Sequence, residues 1–177
     1  MTHRTHNQDS LPDRHPDPLI NETLQRVHRN GWAAVAVSEH CDHRSPDCEG
    51  PETPFAYTIG APLHEVAELA VYGLDPQTSY NLLAEVLGQL HTYQWDKIVD
   101  ANATLNSDVL DLPVRLVAMI DSSDLIVSKA LFPDAPAVQI VWPDPCGVFP
   151  CEAGYRLPSI DQPLSSPGFV RDRSFVL

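Results

Sequence analysis

Positive charge is scarce in this chain: 11 Lys and Arg stand against 24 Asp and Glu, a formal net charge of -13 over 177 residues. Binding to a phosphate backbone draws most of its affinity from counterions released by clustered cations, and the sequence has no Lys/Arg cluster. Nucleic acid is therefore not an expected direct partner, whereas an acidic surface favours solubility and suits a basic protein partner. Long apolar runs are missing too. The N-terminus opens MTHRTHNQDSLPDRHPDP without an apolar h-region, and no stretch approaches bilayer-spanning length, so the expectation is a cytoplasmic protein without membrane contact. Cysteine is limited to Cys41, Cys48, Cys146 and Cys151; a chain this long builds a core without staples, and reduced thiols are expected. Common catalytic signatures are also lacking: there is no Gly-rich phosphate loop, G-x-S-x-G elbow or H-E-x-x-H helix.

What is present suits one core, since 43% of the residues are hydrophobic. Residues 1–16 read as a polar, mobile tail, residues 17–160 as a single domain, and residues 161–177 as an extension wrapping the surface. The tail carries His3, His6 and His15, too dispersed in a mobile segment to imply a metal. Asp17-Pro18 is an N-cap followed by Pro at the first helical position; Ile20, Leu24 and Val27 share one helical face, and Asn30-Gly31 supplies a left-handed stop. Trp32 to Ser38 reads as a buried strand, and Glu39 to Pro54 as an exposed loop to an antiparallel neighbour, Phe55 to Ile59. After a turn bearing His64, Leu69 to Leu74 forms a third strand. Asp75-Pro76 repeats the helix-start signature, with Tyr80, Leu83, Leu87 and Leu90 on one face. His91 to Pro113 is compatible with a short strand or an ordered loop. Val114 to Ile120 and Ala137 to Trp142 have strand composition, and Ser122 to Phe132 suits a short helix capped by Ser122 or Ser123 and ended by Pro133. The expected class is α+β: a mixed, mostly antiparallel sheet with two or three helices packed on it.

Three stretches carry a resemblance: PFAYTIGAPLHEVAELAVYGL from Pro54 to Leu74, the following helix with NLLAEVL at Asn81, and QIVWPDPCGVFPCEAGY from Gln139 to Tyr155. Together they resemble the bacterial family of domain of unknown function 4262, which implies no established activity. Ala61 stands where that family usually has Leu, and Cys151 where it often has Trp.

Within these motifs the polar residues Tyr57, Thr58, His64, Tyr72, Trp142 and Asp144 would meet in one cleft if their strand ends converge. His64 would then be the acid or base, Asp144 its orienting carboxylate and Tyr57 a hydroxyl donor, with Thr58, Tyr72 and Trp142 as ligand contacts. The plainer alternative has the tyrosines packing and Asp144 bonding its own turn. A second constellation, His40, Cys41, His43 and Cys48, offers the imidazole and thiolate ligands zinc prefers, at spacings unlike a standard knuckle; the alternative is a solvated loop. Cys146 and Cys151 are close enough in sequence for a loop disulfide under oxidising conditions. The leading expectation is a non-catalytic binding or interaction module with an acidic face and a groove bounded by the GAPLHE and WPDPCG turns. A hydrolase-like small-molecule enzyme and a zinc-stabilised domain are the alternatives.

Overall fold

The computed structural model describes residues 11–38, 51–150 and 152–165. Helix α1 (Pro18–Asn30) begins as the sequence predicts: the Asp17 carboxylate accepts from the Leu19 and Ile20 N–H groups, and Gly31 ends the helix in the left-handed region. Residues before it run back along the helix, where the Gln25 side chain donates to the Asp13 carbonyl and His15 N–H donates to Asn21. Strand β1 (Ala33–Val37) follows, and β2 (Phe55–Ile59) pairs antiparallel to it. A 3₁₀ turn (Ala61–His64) leads into β3 (Glu68–Tyr72), and α2 (Pro76–Leu90) starts with Asp75 accepting from Gln77 and Thr78.

The open stretch between His91 and Pro113 holds a short helix, α3 (Trp95–Asp100), and β4 (Thr104–Ser107); β5 (Leu112–Ala118), α4 (Ile126–Leu131) and β6 (Ala137–Val141) complete the chain order. The sheet order is β1-β2-β3-β6-β5-β4, with every neighbouring pair antiparallel except β3 and β6. This is the expected α+β architecture with a mostly antiparallel sheet; the described residues hold four α-helices where two or three were expected.

Both faces of the sheet are covered, which explains why β2, β3 and β6 are buried at every position rather than alternately. On one face Leu82, Leu83, Val86, Leu87 and Leu90 of α2, with Ile98 of α3, pack on Leu69, Val71, Val138 and Ile140. Tyr80 departs from the predicted buried face: it is about half exposed, its ring stacked on Trp32. On the other face Val27 of α1 and Val127 of α4 pack with Phe55, Tyr57 and Tyr72. No described helix is long and apolar enough to cross a membrane.

Beyond β6 the chain turns back as a strap over this second face. Two fully buried glutamines hold it. Gln162 exchanges two hydrogen bonds with the Trp142 peptide, both 2.8 Å, and Gln139 donates to the Pro163 carbonyl at 2.7 Å and accepts from Ser165 N–H at 2.9 Å. Each amide thus behaves as a strand peptide would and satisfies groups that burial would otherwise leave costly. The Thr53 hydroxyl adds a bond to the Ile160 carbonyl at 2.6 Å. Gly73 lets the strap approach: its φ is +78°, and a Cβ there would lie 1.6 Å from the Asp161 carbonyl oxygen.

Candidate functional site

The candidate residues divide between the two ends of β3. At its start lie His64, Thr58 and a group that sequence reasoning passed over, Glu68. The β2–β3 ladder stops after Tyr57 and Ala70, and there the Thr58 hydroxyl accepts from Leu69 N–H at 2.9 Å and donates to Glu68 Oε2 at 2.5 Å. Glu68 Oε1 accepts from Gly60 N–H at 2.9 Å, and the Ala61 N–H and Ser128 hydroxyl also favour its carboxylate. The carboxylate therefore caps the otherwise orphaned N–H groups of the 3₁₀ turn and ties that turn to α4. Burial is complete and outweighs these donors, lifting the carboxyl to about 7. The sequence signal was a charged residue heading an otherwise apolar strand, a position that requires dedicated partners.

His64 sits half-buried above this cap. Its Nε2 lies 3.1 Å from the Gly31 carbonyl, and its ring meets the exposed His91 edge-on with centroids 5.1 Å apart. Tyr57 lies mid-sheet on the second face, where its hydroxyl accepts from Val127 N–H at 3.2 Å. That bond serves as the cap of α4, which starts at Ile126 rather than at Ser122 or Ser123; Leu125 at the cap position offers no side-chain acceptor. Burial raises the Tyr57 hydroxyl pKa.

Asp144 lies at the other end of the sheet. It follows the last residue of β6, and β6 runs parallel to β3, so His64 and Asp144 are separated by about the length of β3, roughly 13 Å at strand rise. The Asp144 carboxylate accepts from Cys146 N–H at 2.8 Å, Val148 N–H at 3.0 Å and Arg156 N–H at 3.2 Å. The Val148 bond does most to hold its carboxyl below the ordinary value. Asp144 is thus spent on organising its own turn. The GAPLHE and WPDPCG turns that were expected to bound one groove occupy opposite sheet ends, because the strands leading to them run antiparallel. Trp142 donates from its indole to the Tyr72 carbonyl at 2.9 Å, packing beside the strap. Cys146 is exposed with a free thiol. Cys151 and the ligand-type residues His40, Cys41, His43 and Cys48 lie outside the described residues; among the described ones no group of three His, Cys, Asp or Glu side chains is placed to hold a metal ion.

At the same end as Asp144, between the strap and the lead-in to α4, a cleft of about 440 Å³ opens. Phe55 and Tyr72 form its floor with rings stacked at 5.2 Å, Thr53 and Ile160 line one wall, and Glu52 and Asp124 stand on the rim. The Tyr72 hydroxyl is buried, with no partner in hydrogen-bond geometry among the described residues. Burial raises its pKa, Ser165 opposes that shift without reaching hydrogen-bond geometry, and the Asp124 and Asp121 carboxylates add to it. Of the six residues predicted to meet in one cleft, only Tyr72 lines this one.

No curated protein and no solved structure matches the chain. A family model described as a domain of unknown function (DUF4262) matches residues 26–156, which contain both sheet ends and, among the described residues, every helix and strand except the first turns of α1. The chain belongs to the DUF4262 family.

Proposed function

We propose that this domain is a binding module and that its ligand enters the cleft floored by Phe55 and Tyr72. One observation carries this reading: the cleft combines open volume with a buried hydroxyl that has no partner in hydrogen-bond geometry among the described residues, whereas the polar groups of the opposite sheet end are engaged within the fold. Ligand sites are concave and set a few polar groups beside apolar surface; this cleft sets Glu52, Thr53, Asp124 and Ser159 beside Phe55, Tyr72 and Ile160. A hydrolase acting through His64, Asp144 and Tyr57 would need those groups in mutual reach, and β3 separates the first two. The chain's charge of -13 keeps nucleic acid outside the reading.

A thermal-shift screen of small polar metabolites tests the proposal. At least one class of compound should raise the melting temperature of the wild type, and Ser159→Trp, which fills the cleft from an exposed wall position, should abolish the shift without lowering the unliganded value. Equal shifts in both proteins would place binding elsewhere and overturn the reading. Zinc on the segment from His40 to Cys48 is a separate proposal, resting on the ligand chemistry of the sequence alone. It requires about one metal per purified chain, lost in the Cys41→Ser/Cys48→Ser double variant; a metal-free wild type overturns it.

A further inference from the structure

We infer that the cleft selects a small organic cation, a protonated amine carried on a compact apolar or aromatic body; this inference rests on the binding reading above. Among the described residues its charged lining is of one sign: Glu52 and Asp124 line the cleft, and no Lys, Arg or His does. Asp121 stands near enough to act on the Tyr72 hydroxyl together with Asp124, so three carboxylates direct their field to this part of the molecule. A concavity lined by one sign of charge beside a low-dielectric wall focuses that field and raises the local concentration of counter-ions.

The interior supplies the complement for the rest of such a ligand. Phe55, stacked between Tyr57 at 6.0 Å and Tyr72 at 5.2 Å, belongs to a three-ring ladder whose last two members floor the cleft. Aromatic rings attract cations through their quadrupole and accept an apolar body by area burial. Tyr72 is 5% exposed, and among the described residues its hydroxyl has no partner in hydrogen-bond geometry, so an amine or hydroxyl on the ligand would supply one. Anions are disfavoured by the rim, and a neutral isostere would lose the attraction of the two rim carboxylates while keeping the apolar contact.

The test uses the full chain and three probes of one shape: benzylamine, benzyl alcohol and benzoate, titrated to tens of millimolar at low ionic strength and near neutral pH, with backbone amide shifts as the readout. Benzylamine should move the resonances of Thr53, Phe55, Tyr72 and Ser159 and bind at least tenfold more tightly than benzyl alcohol, with benzoate silent. The Glu52→Gln/Asp124→Asn double variant should remove most of that preference, and so should raised salt. Equal binding of the amine and the alcohol would overturn the cation assignment and leave the cleft as a binding site. Failure of every probe to move these resonances, with the protein folded, would overturn the cation assignment, and the binding reading then stands or falls on the metabolite screen with Ser159→Trp.

Discussion

The two ends of strand β3 make an instructive pair. Where the strand begins, a carboxylate is wholly buried and receives bonds from Thr58, Gly60 and neighbouring groups. Where it finishes, Tyr72 lines a cleft with acidic residues on its rim, and its buried hydroxyl has no such partner among the described residues. Both ends are rich in polar groups, and only their satisfaction differs. A perturbed titratable group is therefore a poor guide to function when its partners are all internal; Glu68 is more strongly perturbed than anything at the cleft, yet it is 1% exposed and cannot reach a ligand.

The contrast can be broken most forcefully at Gly73. Gly73→Ala drives a Cβ into the Asp161 carbonyl at a left-handed φ and should cost about 3 kcal/mol or more in urea unfolding, with Trp142 fluorescence reporting loss of the strap. A cost below about 1 kcal/mol would mean that the strap is not packed as described.

At the sealed end, Glu68→Leu strands the donors of the 3₁₀ turn and should cost about 3 kcal/mol by the same assay. The wild type should also show a pH signature. The carboxyl's folded value of about 7 lies above its ordinary 4.5, so the neutral acid's contribution is complete below about pH 4.5 and is lost as pH rises through about 7. The difference corresponds to about 3 kcal/mol, and Glu68→Gln should flatten the stability profile between about pH 5 and pH 8. An unchanged slope in that variant would show that Glu68 is not the group responsible.

Smaller effects sharpen the division further. Tyr57→Phe removes the acceptor that caps α4 and should cost about 1 kcal/mol while leaving cleft occupancy intact. His64→Ala loses one bond to the Gly31 carbonyl at a half-buried site, with an expected cost of about 1 kcal/mol or less and no change in ligand affinity at the cleft. Loss of binding in His64→Ala, with the fold preserved, would move the functional site to the sealed end.

Much of the fold was legible because its signals are local. Asp17-Pro18 and Asp75-Pro76 start the helices they were expected to start, and the strands at Phe55 and Ala137 begin where β composition begins. The start of α4 was misread because its cap comes from Tyr57, 70 residues away, and no local pattern encodes such a partner. The site was less legible still. Reading Tyr57, His64 and Asp144 as one cleft required the strand ends to converge, and strand direction, which sends them to opposite ends, is fixed by pairing across the sheet. Gln139 and Gln162 likewise acquire meaning only when the strap lies against β6.

The most direct test of the central claim, that function resides at the open end of β3, is amide chemical-shift mapping of whichever compound most raises the melting temperature. The account predicts that the resonances of Thr53, Phe55, Tyr72, Asp124 and Ser159 move together and saturate with one affinity, while those of Gly31, His64 and His91 stay in place. Perturbation centred on His64 and His91, with the cleft silent, would contradict it.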